Sequence, residues 1–170
     1  MAVLALAFSG VAVAQEGEAP AKKTPQDALE AAEMAGLTTF LKAAEVAGLK
    51  ETLIEENITV FAPTNEAFAA LGEEQLNALL AKPAALKKVL ENHLVTDGRL
   101  MLLTLPEVSP IVTAGEAEWD SRLEMPEGET NPKKGTVYVN DVEIKRSARS
   151  MTLNHSVLYS IDKVLQAKAE

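Results

Sequence analysis

The chain has 170 residues, 47% of them hydrophobic, enough for one domain with a substantial core plus a short extra segment. Lys and Arg number 16 against 25 Asp and Glu, a formal charge of −9 with an isoelectric point near 4.8, whereas phosphate binding needs a basic face, so nucleic acid is excluded as an expected partner. There is no cysteine, which removes disulfides, thiol catalysis, cysteine metal sites and a lipidated cysteine together.

The chain opens on an apolar, small-residue run from Ala2 to Val13, broken only by Ser9-Gly10 and ending in Ala12-Val13-Ala14 before Gln15, the small-x-small pattern of signal-peptidase cleavage. At about 14 residues it is too short to span a bilayer as a helix. A buried N-terminal helix is the competing reading, and the charged, proline-containing stretch 15–25 that follows reads as a linker instead. Residues 1–14 are therefore expected to be a signal peptide, 15–25 a linker and 26–168 a single domain. The protein is expected to be secreted, periplasmic or cell-surface-associated. No Lys or Arg precedes the apolar run, so the charged leader region is missing and translation is expected to start upstream of Met1.

Two helices come next. One, in QDALEAAEMAG, puts Ala28, Leu29 and Ala32 on one face and closes at Gly36; the other, in LTTFLKAAEVAGL, repeats the form with Phe40, Leu41 and Ala44 and closes at Gly48. The paired Ala-Gly-Leu endings read as glycine-terminated helices with an apolar residue after the glycine, not as a solenoid period. Ile58 to Phe61 is a short β-branched and aromatic strand, which Pro63 is expected to end. Thr64 or Asn65 is then a candidate N-cap for a helix burying Ala67, Phe68 and Leu71. Two further helices follow in EEQLNALLAKP and AALKKVLENHLV, the second with Leu86, Val89, Leu90 and His93 at helical spacing.

Beyond Thr96-Asp97-Gly98 the pattern changes to strands. Residues 106–132 are rich in proline, glycine and acids and read as loop with short strands. GTVYVNDVEIKR is the clearest hairpin: outward from an Asn140-Asp141 turn, Val139 faces Val142 and Val137 faces Ile144 on one side, with Tyr138 and Glu143 on the other. A final strand carries Val157, Leu158, Tyr159 and Ile161.

In that order and spacing, TVFAPTNEAFAAL, LKKVLENHLVTDG, VYVNDVEI and NHSVLYSIDKVL resemble the boxes of the fasciclin-type domain, an extracellular module of adhesion and matrix proteins. LTTFLKAAEVAGLKETL resembles that family's opening helices, and coverage runs from about Gln26 to Leu165. The resemblance implies an α+β fold, a wedge of two packed β-sheets with N-terminal helices against one side. It also implies that Phe61 and Phe68 lie in the core and that Thr64 and Asn65 hydrogen-bond the backbone. His93 stands where the family commonly has a histidine, here preceded by Asn92, and is read as a hydrogen-bonded, partly buried residue at a helix end in preference to an interaction hot spot. Near the C-terminus His155 and Tyr159 replace the glycine and histidine usual in the box.

The residues offer little for catalysis. The only histidines, His93 and His155, lack the spacing that puts two imidazoles on one metal. Glu55-Glu56 and Glu73-Glu74 read as solvated faces, no phosphate loop or GxSxG appears, and His155 and Ser156 as strand neighbours point apart. No enzyme, metal or cofactor is expected. Sequons stand at Asn57 and Asn154. Two function classes remain: a noncatalytic interaction or adhesion module for a matrix protein, glycan or surface partner, with weak self-association allowed, or a carrier of a lipid or pigment in the gap between sheets and helices. Thr64, Asn65, His93, Trp119 and Tyr159 are the candidate interaction residues; Trp119 is either a recognition anchor on a loop or a cover for the core.

Overall fold

A computed structural model describes residues 25–144, 150–153 and 155–165. The expected signal peptide, all of the linker except residue 25, the sequon at Asn154 and the last residues of the expected domain lie outside the described residues.

The N-terminal half is helical for reasons local to its sequence. Asp27 caps α1 (Ala28–Met34) by accepting from the Glu30 N–H. The chain then closes by the same stop as α2 (Thr38–Ala47): Gly36 and Gly48 take the left-handed conformation at φ 71° and 70°. The amides of Leu37 and Leu49 reach back to the carbonyls of Ala32 and Ala44 at 3.0 and 2.9 Å, and both leucines are buried, the apolar contact that completes a Schellman ending. A short α3 (Lys50–Leu53) leads to β1 (Thr59–Pro63), after which come α4 (Asn65–Ala70), α5 (Glu73–Leu80) and α6 (Pro83–Glu91).

The strand β1 runs through Pro63 instead of stopping before it, with Pro63 paired to Ile161. The reason is the direction of the missing donor. The Phe61 amide points to His93 O on one flank at 2.8 Å, while that of Thr64 points to Ile161 O on the other at 2.9 Å. By that alternation the nitrogen of Pro63 faces the Phe61 flank, past the last paired residue of β2 (Leu94–Val95), so the proline costs the ladder no bond.

The remaining strands are β3 (Ile111–Val112), β4 (Glu118–Trp119), β5 (Ser121–Glu124), β6 (Thr136–Val139), β7 (Val142–Ile144), β8 (Met151–Thr152) and β9 (Val157–Ile161). Seven of them form one sheet in the order β2-β1-β9-β7-β6-β5 with β8 beside β9, and β3 and β4 form a second, two-stranded sheet. The hairpin register is the one expected from its turn: Val137 opposite Ile144, Tyr138 opposite Glu143, Val139 opposite Val142, with Asn140 and Asp141 both at positive φ. At the centre, β1 and β9 pair in parallel and are buried on both faces.

Alternation along these two strands divides the core. Val60, Ala62 and Leu158 join Phe40, Phe68, Leu86 and Leu90 on the helical side. Phe61, Val157, Tyr159 and Ile161 join the hairpin valines, Ile144, and Ile111 and Trp119 of the small sheet. The two sheets are thus packed together through the second core, with the helices against the other side, the α+β arrangement that the resemblance implies.

Candidate functional site

Each residue that the sequence singles out has a partner inside the protein. Thr64 is 3% exposed and caps α4, its hydroxyl accepting from the Ala67 N–H at 3.2 Å. Asn65 reaches much further back along the chain. Its Oδ1 accepts from the Thr39 N–H at 3.0 Å and the Thr38 hydroxyl at 3.3 Å, and its amide donates to Gly36 O at 3.0 Å. Leu37, at the N-cap of α2, has no capping atom, so Asn65 supplies the cap from a different helix and ties α4 to the α1–α2 corner.

His93 is fully buried rather than partly so, because the turn after α6 drives it between β1 and the C-terminal segment. Its Nδ1 donates to Val89 O at 2.7 Å and its Nε2 accepts from the Leu165 N–H at 2.8 Å, an arrangement that requires the neutral ring protonated on Nδ1. Burial lowers its pKa from 6.5 to about 4, with the Val89 bond pulling the other way. Beside it, Asn92 O accepts from the Trp119 indole at 2.8 Å. Trp119 is 2% exposed, with its indole bonded inward, the placement of a side chain that covers the core.

Tyr159 stacks on Phe61 with ring centroids 5.8 Å apart and donates its hydroxyl to Leu100 O at 2.9 Å. Burial pushes its pKa up to about 12. These five residues do not converge on one site; they fasten separate joints of the domain. His155 and Ser156 diverge as expected, the first exposed and the second buried with its hydroxyl on Glu55 O. Among the described residues no group of His, Asp and Glu could hold a metal, and no helix is long and apolar enough to cross a membrane. Between helices and sheet, the space among Phe40, Ala44, Leu49, Leu53, Leu90 and Leu94 has no room for even one water molecule, so the gap expected for a carried ligand is filled at that point.

What sequence reasoning missed lies in the segment after β2. Thr59, buried in β1, accepts from the Leu100 N–H at 2.8 Å and donates to Gly98 O at 2.9 Å. With the Tyr159 bond, both backbone groups of Leu100 are held by the central strands. Immediately beyond this anchor the chain exposes four large apolar side chains, Met101, Leu103, Val108 and Val112. Glu107 and Glu118 are exposed on the same stretch. MLLTLPEV shows no periodicity that separates its exposed leucine, Leu103, from its buried one, Leu105, so only the geometry finds it.

The Fasciclin domain family model matches residues 35–167. The chain is 33% identical over 122 residues to transforming growth factor-beta-induced protein ig-h3 of Oryctolagus cuniculus, covering 71% of this chain and 16% of that one. It is 31% identical over 131 residues to protein sll1483 of Synechocystis sp., covering 75% of this chain and 66% of that one. It therefore spans about one-sixth of the mammalian relative's length. A solved FAS1 domain pair from the insect cell adhesion molecule fasciclin I superposes with a TM-score of 0.59 at 18% identity, over 79% of this chain and 46% of that one.

Proposed function

Because this chain belongs to the fasciclin domain family, whose domains are adhesion-related modules, we propose that it is a noncatalytic interaction module displayed outside the cytoplasm, binding a macromolecular surface through residues 101–112. The observation that carries the reading is the anchoring of Leu100 by Thr59 and Tyr159 directly before four exposed apolar side chains. A loop held by a rigid scaffold presents its side chains with little ordering cost on binding. The neighbouring exposed acids and the charge of −9 favour a partner whose apolar contact is ringed by basic groups.

One small domain with a modest apolar surface suits micromolar binding, about −8 kcal/mol, with useful strength coming from several copies acting together. The partner class is a matrix protein, glycan or cell-surface component. Capture from the native extracellular milieu by the immobilised protein, followed by mass spectrometry for proteins, glycans and lipids, tests the reading; reproducible turnover of a captured small molecule would replace it with an enzymatic one. Export belongs to the same proposal. The mature protein is expected to begin at Gln15, and recovery from cytoplasm with Met1 to Ala14 intact would contradict it.

A further inference from the structure

A second feature, independent of the adhesion reading, lies between α5 and α6. The helix α5 contains Leu76, Leu79 and Leu80, yet none of its residues is fully buried. A helix normally buries its apolar stripe, whereas these leucines pack against the helical core while staying partly open to solvent. Between α5 and α6, and lined also by Val164 and Leu165, runs an open groove of about 570 Å3 among the described residues, with Leu79, Val89 and Val164 in its apolar lining. Its size is that of small-molecule sites, roughly 300–1,000 Å3.

Two observations say what chemistry would fill it. The groove is bordered by Lys82 and Lys88, both exposed and neither in an ion pair among the described residues, although the chain as a whole is acidic. Asn92, 5% exposed, also lines it. Its Oδ1 is turned to the Thr113 hydroxyl at 3.5 Å, whereas its amide nitrogen has no hydrogen-bond partner among the described residues. A mostly buried amide left with free donors beside an open groove is a place for an acceptor. The spacing also fits: Lys82, Ala85, Val89 and Asn92 follow one face of α6, a run of roughly 15 Å at the helical rise.

We propose that this groove binds a single-chain amphiphile with an anionic head, of the fatty-acid carboxylate class. The Lys88 ammonium and the Asn92 amide, one helical turn apart, hold the carboxylate, the hydrocarbon chain covers Leu79, Val89 and Val164, and Lys82 adds positive charge at the far end of the groove. The site differs from the filled gap between helices and sheet, and its ligand is selected by charge as well as by apolar area.

The test uses the purified, delipidated full chain, with palmitate as ligand, displacement of the fluorescent fatty acid parinarate as readout, and hexadecanol and butyrate as probes lacking the charge and the long chain. Palmitate should displace the fluorophore saturably, and hexadecanol and butyrate should each be at least about tenfold weaker. The Lys82→Glu/Lys88→Glu variant should lose a similar factor, and Ala85→Trp, an exposed position whose new ring fills the groove, should abolish displacement while leaving the circular dichroism unchanged. Absent displacement, equal binding of hexadecanol, or palmitate binding unchanged in both variants would overturn the proposal. So would a concentration-dependent dimer that Ala85→Trp disperses without palmitate uptake, since the groove would then belong to a second copy.

Discussion

Acidification should loosen this domain through His93 in a way that can be isolated from every carboxylate. The folded protein needs the ring neutral: Nδ1–H serves Val89 O, and Nε2 must keep its lone pair for the Leu165 N–H. Unfolded, the ring takes a proton near 6.5; folded, burial delays this to about 4. Between those values the unfolded chain binds more protons, so stability rises with pH. The contribution is fully present above about 6.5 and is lost as pH falls towards 4. At about 1.4 kcal/mol per pH unit, that window is worth about 3 kcal/mol at most. The assay is urea denaturation of the wild type and of His93→Gln at intervals from pH 7 to 4. Glutamine destabilises the protein at every pH but cannot titrate, so the stability gap between the two should narrow by about 3 kcal/mol on acidification while the carboxylate contributions cancel. Parallel curves would refute the reasoning, since they would mean that the buried ring is charged or that its environment does not resist protonation.

Other outcomes follow from the same contacts. Phe61→Ala empties the stacking partner of Tyr159 at a fully buried position and should cost about 3–5 kcal/mol; an unchanged denaturation midpoint would deny Phe61 its core role. Asn65→Ala removes the distant cap of α2 and the bond to Gly36 O together, and should cost about 2 kcal/mol, against about 1 kcal/mol for the local cap lost in Thr64→Ala. Equal losses would mean that Asn65 does not tie the helices together. The fluorescence of Trp119, the sole tryptophan, should be blue-shifted and poorly quenched by iodide, and strong quenching would put the indole on the surface.

Local chemistry was legible in the sequence wherever the partner is a few residues away. The Asn140-Asp141 turn sets a register by counting outward, the two Ala-Gly-Leu endings announce their Schellman stops, and Thr64 precedes the amide that it caps. Contacts made at long range were not. Asn65 caps a helix more than twenty residues upstream, and nothing in the intervening pattern marks it. Pro63 reads as a strand terminator until the flank its nitrogen faces is known, and that depends on β2 being only two residues long. Trp119 stands among acids and glycines that look like an exposed loop, and only its pairing with Ile111 and its bond to Asn92 O turn it inward. The family boxes identify the fold because they are its joints, and for the same reason they do not mark a surface. Thr64, His93 and Tyr159, which lie in those boxes, and Trp119, which does not, are all buried and bonded inside the domain, so the proposed binding face is sought among exposed side chains that no box contains.

The central claim is that residues 101–112 meet the partner. It is tested most directly by replacing Leu103 with the photo-crosslinking residue p-benzoylphenylalanine and irradiating the protein in its native extracellular milieu. Glu143, exposed on the outer side of the hairpin, carries the same residue in a control. The account predicts one dominant adduct with an extracellular macromolecule from position 103 and none from position 143. An adduct from position 143 alone, with position 103 silent in a folded protein, would contradict it.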